Sequence, residues 1–152
     1  MLNRREALSH SLKVAALLAT AGLLPQRAGA AYSAAAFDMK TMPEVVKALG
    51  GGTPVESKDV VLTGPDIAEN GAVVPLGAAT TLPGVKRMVF LVEKNPTPLA
   101  AVFVLTDAVD ANVATRVKMA QTSNVVAIAL MADNRVLFAQ KEVKVTLGGC
   151  GG

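Results

Sequence analysis

Two stretches of the chain alternate strictly between apolar and polar positions. In "TRVKMAQ", Thr115, Val117 and Met119 fall on one side, and Arg116 and Lys118 on the other. In "EVKVTL", Val143, Val145 and Leu147 oppose Glu142, Lys144 and Thr146. A period of two is the mark of a strand with one buried and one wet face. Further runs rich in Val, Leu and Ala predict strands near 59–63, 72–80, 86–93, 99–106, 114–121, 125–132 and 135–147. The breaks between them, "GPDIAENG", "LPG", "KNPTP", "TDAVDAN", "TSN" and "ADN", are made of turn residues. About seven short strands at spacings of roughly 10 residues indicate an all-β fold, an antiparallel sandwich of immunoglobulin type. The runs "RMVFLV" and "VVAIALM" are apolar on both faces. Either both faces are covered within the chain, or one awaits a partner chain. Met88, Met119 and Met131 are expected to fill gaps in the core.

The pattern differs before Gly52. "TMPEVVKALGGG" predicts one N-terminal helix near 41–49. Thr41 and Glu44 have capping-box spacing, Pro43 lies in the first turn, and Gly50 to Gly52 end it. "AYSAAAFD" reads as a flexible lead. Upstream, Arg4 and Arg5 are followed by an apolar run from Val14 to Leu24 and then by Ala28, Gly29 and Ala30. That order is the order of an export signal spanning 1–30, cleaved after Ala30. Its 11 apolar residues fall short of the roughly 20 that span a bilayer. No cysteine follows them, so no lipid or membrane anchor is expected. Arg4, Arg5 and Leu8 match a twin-arginine signal, with Ala7 where an aromatic residue is common. The expected organisation is thus a signal over 1–30, a β-sandwich domain with its N-terminal helix over 31–147 and a tail over 148–152.

Removing the signal changes the charge. The chain has 15 basic and 12 acidic residues. Arg4, Arg5, Lys13, Arg27 and Glu6 leave with the signal, so 11 of each sign remain. A net charge of zero and four Phe with no Trp give no footing for nucleic acid. The single histidine, His10, also leaves. Without it the chain has no Ser-His or Cys-His pair and none of the usual zinc or copper sites. The acids are scattered singly, and no phosphate loop, dinucleotide fingerprint or calcium loop occurs. No metal or cofactor is therefore expected.

The chemistry that remains is in "VKVTLGGCGG". The one cysteine, Cys150, lies between two glycine pairs. The last strand should end at Leu147, and Gly148, Gly149, Gly151 and Gly152 make a flexible arm without Cβ atoms around the thiol. Nothing nearby activates that thiol: no cation is closer than Lys144, and a carboxylate two residues away raises a thiol pKa. A thiol activated inside other proteins suits a carrier better than an enzyme. An odd cysteine in an exported protein also fits a structural or adhesion sandwich cross-linked through its tail. A ubiquitin-like sulfur carrier is a third reading, against which the signal and Cys150 both speak.

The tail, with "ALGGG", "IAENGAVVP", "NPTPLAAVFVL" and "TRVKMAQT", resembles the SoxY family of thiosulfate-oxidation sulfur carriers over nearly the whole chain. The resemblance implies a periplasmic substrate carrier without a catalytic centre of its own. It implies a SoxZ-like subunit as heterodimer partner. It implies a c-type cytochrome that joins thiosulfate oxidatively to Cys150, and a manganese hydrolase that releases sulfate. "ENG" (Glu69 to Gly71) and "NPTP" (Asn95 to Pro98) read as turns, with no catalytic role.

Overall fold

The two runs that are apolar on both faces become the central strands of the larger of two sheets. In the computed structural model, which describes Asn3 and residues 34–148, the elements are α1 (Ala34–Asp38), α2 (Met42–Ala48), β1 (Pro54–Glu56), β2 (Val61–Thr63), β3 (Ile67–Asn70), β4 (Val74–Ala79), β5 (Val85–Val92), β6 (Leu99–Val104), β7 (Asn112–Val117), β8 (Ser123–Met131) and β9 (Val136–Leu147). The chain divides at Tyr32, and the unit from Ser33 onward is the subject here. The export signal with Arg4 and Arg5, and Gly149, Cys150, Gly151 and Gly152, lie outside the described residues.

The larger sheet has the order β1-β9-β8-β5-β6, with β3 also paired to β9; the smaller has the order β2-β4-β7. The expected immunoglobulin-like all-β architecture is what forms. It has nine strands among the described residues, and two pairings, β1 with β9 and β3 with β9, are parallel. Those two strands are short and largely exposed. Their order comes from the long strand they join rather than from an apolar pattern of their own.

Between the sheets, Met88, Phe90, Val92, Val125, Ala127 and Val143 meet Val74, Leu76, Ala78 and Val117. Phe90 and Phe103 add an edge-on ring contact at 6.1 Å. The three methionines are buried, as expected. The opposite face of β5 and β8, made of Val89, Leu91, Val126, Ile128 and Leu130, is covered by Ala36, Val45, Val46 and Leu49 of the helical segment. The chain therefore supplies its own third layer, and this face gives no argument for a partner chain.

The helical layer corrects the reading of residues 34–38 as a flexible lead. "AAAFD" is a helix because Ala favours one and because Ala36 is fully buried with Phe37 packed beside it. The α2 helix starts as expected. The Glu44 carboxylate accepts from the Thr41 N–H at 3.0 Å and the Lys40 N–H at 3.2 Å. The Thr41 side chain first, and then these backbone donors, hold the Glu44 carboxyl below its usual range. The helix ends at Gly50, whose φ of +77° is a left-handed conformation open to glycine. Arg87 on β5 donates to the Leu49 carbonyl at 2.6 Å, tying the helix end to the sheet.

Ile128→Ala removes side-chain atoms from the face under the helices. If that face is a true second core, the variant loses about 2–5 kcal/mol of stability, read from urea unfolding midpoints. A loss below about 0.5 kcal/mol, the range of surface changes, would show that the helices do not seal it.

Candidate functional site

The strand that leads to Cys150 is β9, and it is held on both edges. β8 pairs with it antiparallel from Leu130–Val136 to Ser123–Val143. Past Val143 the Thr122 hydroxyl replaces the ladder, accepting from the Val145 N–H at 2.9 Å. On the other edge β1 covers residues 136–138 and β3 covers 144–147. The Thr146 hydroxyl donates to the Glu69 carbonyl at 2.9 Å. The Gly71 N–H donates to the Leu147 carbonyl at 2.7 Å. The link into β3 is fixed by Lys141, whose ammonium meets Asp66 at 2.8 Å and the Gly64 carbonyl at 2.7 Å. The hydrogen bond from Lys141, and then its charge, hold the Asp66 carboxyl below its usual range.

β9 ends at Leu147, where the sequence pattern ends it. Leu147 shares the parity of Val143 and Val145, but it is not buried with them. It is 67% exposed, against complete burial of Val143. The inward-facing cluster reaches Val145 and stops there.

Gly148 is the first residue past the strand. A Cβ at this position would fall inside contact distance of the Ala120 carbonyl oxygen. The obstacle is backbone, which cannot swing aside as a side chain can. Glycine at 148 therefore serves close packing at the root, whatever freedom it also lends to the arm.

Ala120 is held in turn. Asn95 accepts from the Ala120 N–H at 3.0 Å and donates to the Lys118 carbonyl at 2.7 Å. The Met119 N–H donates to the Gly71 carbonyl at 2.7 Å. These bonds account for a second correction. Residues 118–121 were expected to continue a strand, but β7 stops at Val117. The following amides are taken by the Asn95 side chain and by Gly71 instead of by a ladder. The expected facing survives: Val117 and Met119 are buried, while Arg116 and Lys118 are exposed.

The two motifs read as turns thus meet at one place, though Glu69 and Asn70 of the first belong to β3, which pairs with β9, and only Gly71 lies past the strand. "ENG" supplies Gly71, which bonds Leu147 and Met119; the Asn70 side chain braces the turn by accepting from the Ala72 N–H at 2.8 Å. "NPTP" supplies Asn95, and its Pro96 carbonyl accepts from Lys40 at 2.7 Å, reaching back to the helical layer. Asn95, Gly71, Ala120 and Thr122 were not legible as site residues. Their turns could be read from the sequence, but the segments that those turns grip could not. Among the described residues no group of three His, Cys, Asp or Glu gathers as a metal ion would require.

Asn95→Ala leaves the Lys118 carbonyl and the Ala120 N–H without their partner. The expected loss is about 1–2 kcal/mol of stability, with faster amide hydrogen exchange at Ala120. A variant with wild-type stability and wild-type exchange at Ala120 would remove Asn95 from the mount.

The comparisons agree with this architecture. The family described as SoxY, sulfur oxidation protein SoxY, matches residues 45–150, a span that includes the mount and Cys150. The sulfur carrier protein SoxY from Chlorobium limicola f thiosulfatophilum is 31% identical, with a TM-score of 0.63 over 71% of this chain and 97% of its own. A superoxide reductase (neelaredoxin) from Ignicoccus hospitalis is 11% identical, with a TM-score of 0.54 over 70% of this chain and 99% of its own. At that identity the likeness shows the fold alone. No match is found among curated proteins. With more than half of its length matched by the family, and a solved member at 31% identity superposing on its sheets, the chain belongs to the SoxY family of sulfur oxidation proteins.

Proposed function

We propose that this chain is a covalent carrier of thiosulfate-derived sulfur, with the Cys150 thiol as the point of attachment. The observation that carries this reading is the fixed root of a very short tether. β9 is bonded along one edge through Leu147 and along the other as far as Val145, and Cys150 follows Gly148 by two residues. A strand so held gives a fixed base to whatever follows it closely, and a tail in which glycine flanks the cysteine on either side is slim enough for a channel.

The chemistry balances with partners supplying what the chain lacks. A c-type cytochrome takes two electrons as the Cys150 thiolate and thiosulfate join through a new sulfur–sulfur bond, giving a Cys150 thiosulfonate. A manganese hydrolase then adds water across the bond to the terminal sulfonate. Sulfate and protons leave, and a persulfide remains on Cys150 to be oxidised or passed on. Attachment keeps the anion from diffusing away and raises its effective concentration at each station. In this reading the chain does no catalysis of its own.

The signal reading of residues 1–30, with Arg4 and Arg5, supports work in the periplasm after export in folded form. A SoxZ-like subunit is proposed as the companion in a heterodimer, on the strength of the family resemblance. The rival is an exported structural or adhesion sandwich cross-linked through Cys150. It predicts a stoichiometric disulfide-linked dimer on non-reducing electrophoresis.

Intact mass spectrometry after incubation with thiosulfate and the oxidising cytochrome tests the proposal. A mass increase confined to the Cys150 peptide is expected, and Cys150→Ser should lose it while keeping its stability within about 0.5 kcal/mol of wild type. Sulfate release at the wild-type rate in Cys150→Ser would overturn the carrier function.

A further inference from the structure

Of the chain's six asparagines only Asn70 is followed by glycine; the others precede Arg4, Pro96, Val113, Val125 and Arg135. Asparagine before glycine is the dipeptide most prone to close on itself. The next backbone nitrogen attacks the side-chain amide carbon, and glycine there has no Cβ to obstruct the approach. The two reacting groups are held differently. Asn70 is exposed, and its Oδ1 accepts from the Ala72 N–H at 2.8 Å. That bond draws electron density from Cγ and favours attack there. The nucleophile is the opposite case. Gly71 is buried, and its N–H donates to the Leu147 carbonyl at 2.7 Å, so the nitrogen keeps its proton. The Gly71 carbonyl accepts in turn from the Met119 N–H at 2.7 Å, which grips the glycine from both sides.

We propose that Asn70–Gly71 is a self-modifying site gated by the end of β9. It stays intact while the Leu147 carbonyl holds the Gly71 N–H, and it converts to aspartate and isoaspartate when that end opens. Hydroxide takes the Gly71 amide proton, the nitrogen bonds the Asn70 Cγ, and ammonia leaves a succinimide ring. Water then opens the ring at either carbonyl, so no oxidant, reductant or partner protein is consumed. One opening gives aspartate in an ordinary chain. The other routes the main chain through the side-chain carbons and lengthens it by one methylene. The added atom moves Gly71, which then no longer meets Leu147 and Met119 together. The modification is thus a one-way release of the strand end. The gate is local because the bonds that close it are local. They are the Thr146 hydroxyl on the Glu69 carbonyl and the Val145 N–H on the Thr122 hydroxyl, both at 2.9 Å. Local opening takes less free energy than global unfolding, and it exposes the Gly71 amide to hydrogen exchange as well. None of this depends on what Cys150 carries.

The test incubates the native protein, purified with any companion subunit, at mildly alkaline pH. Conversion at Asn70 is followed by peptide mass mapping and by enzymatic methylation of isoaspartate, beside deuterium exchange at Gly71 and the melting temperature. The reference is a synthetic peptide of residues 67–75, in which nothing holds the Gly71 N–H. Folded wild type should convert more slowly than the peptide by about tenfold or more. Thr146→Val keeps the branched shape and loses the hydroxyl. It and Thr122→Val should raise Asn70 conversion and Gly71 exchange together, by about threefold or more. Ile128→Val takes a comparable stability from the core under the helices, and it should convert at close to the wild-type rate. In the isoaspartyl fraction the Met119 N–H should exchange faster than in fresh protein. Conversion of folded wild type at the peptide rate would overturn the gate, as would wild-type conversion in both threonine variants. An equal rise in Ile128→Val would also overturn it, because the route would then be global unfolding. Unchanged Met119 exchange in the isoaspartyl fraction would overturn the release.

Discussion

A two-residue tether has a direction only if the strand it leaves is fixed, and the pairing of β9 supplies that condition. β9 is the longest strand, with β8 along one edge and β1 and β3 in series along the other. Where β8 stops, the Thr122 hydroxyl continues the bonding, and where β3 stops, Gly71 does. Fraying at a strand end is thereby suppressed at the end that leads to Cys150. The parallel partners matter here. They extend the pairing of β9 along its second edge, at 136–138 and at 144–147.

The layers behind β9 follow from the composition of β5 and β8. Strands that are apolar on both faces must be covered twice. The second sheet covers one face, and the helical segment from Ala34 to Leu49 covers the other. That arrangement makes the sheet a rigid middle layer. It also brings the N-terminal segment into the support of the site, through Lys40 on the Pro96 carbonyl and Asn95 on residues 118–120. The connection runs from helix to loop to loop to root through backbone groups held by side chains. Its one charged member is the Lys40 ammonium.

Periodic strands were legible because each carries its own signal. Val117 and Met119 bury and Arg116 and Lys118 do not, as alternation requires, and β9 ends at Leu147. The α2 cap was legible for the same reason, since Thr41, Pro43 and Glu44 are neighbours. What was not legible depends on residues far apart in the chain. β1 and β3 are too short for a pattern and exist because β9 lies beside them. The helix at Ala34–Asp38 has no cap signature and is held by burial of Ala36. Residues 118–121 lose their strand to the Gly71 carbonyl and to the Asn95 side chain, whose partners lie 23 and 25 positions away. Leu147 keeps the parity of a buried residue where the core has already stopped. Cys150 was conspicuous in the sequence from its glycine surroundings, while the mount beneath it became visible only in three dimensions.

The carrier function makes a kinetic demand that a structural role does not. On the proposed carrier function, all sulfur that becomes sulfate passes through the Cys150 thiol. Thiosulfate carrying radioactive sulfur can be given to the reconstituted system and followed at short times, on the Cys150 peptide and in free sulfate. Label should appear on Cys150 before it appears in sulfate, and it should leave Cys150 at the rate at which sulfate forms. Labelled sulfate that forms before Cys150 is labelled, or faster than Cys150 turns over, would contradict the function.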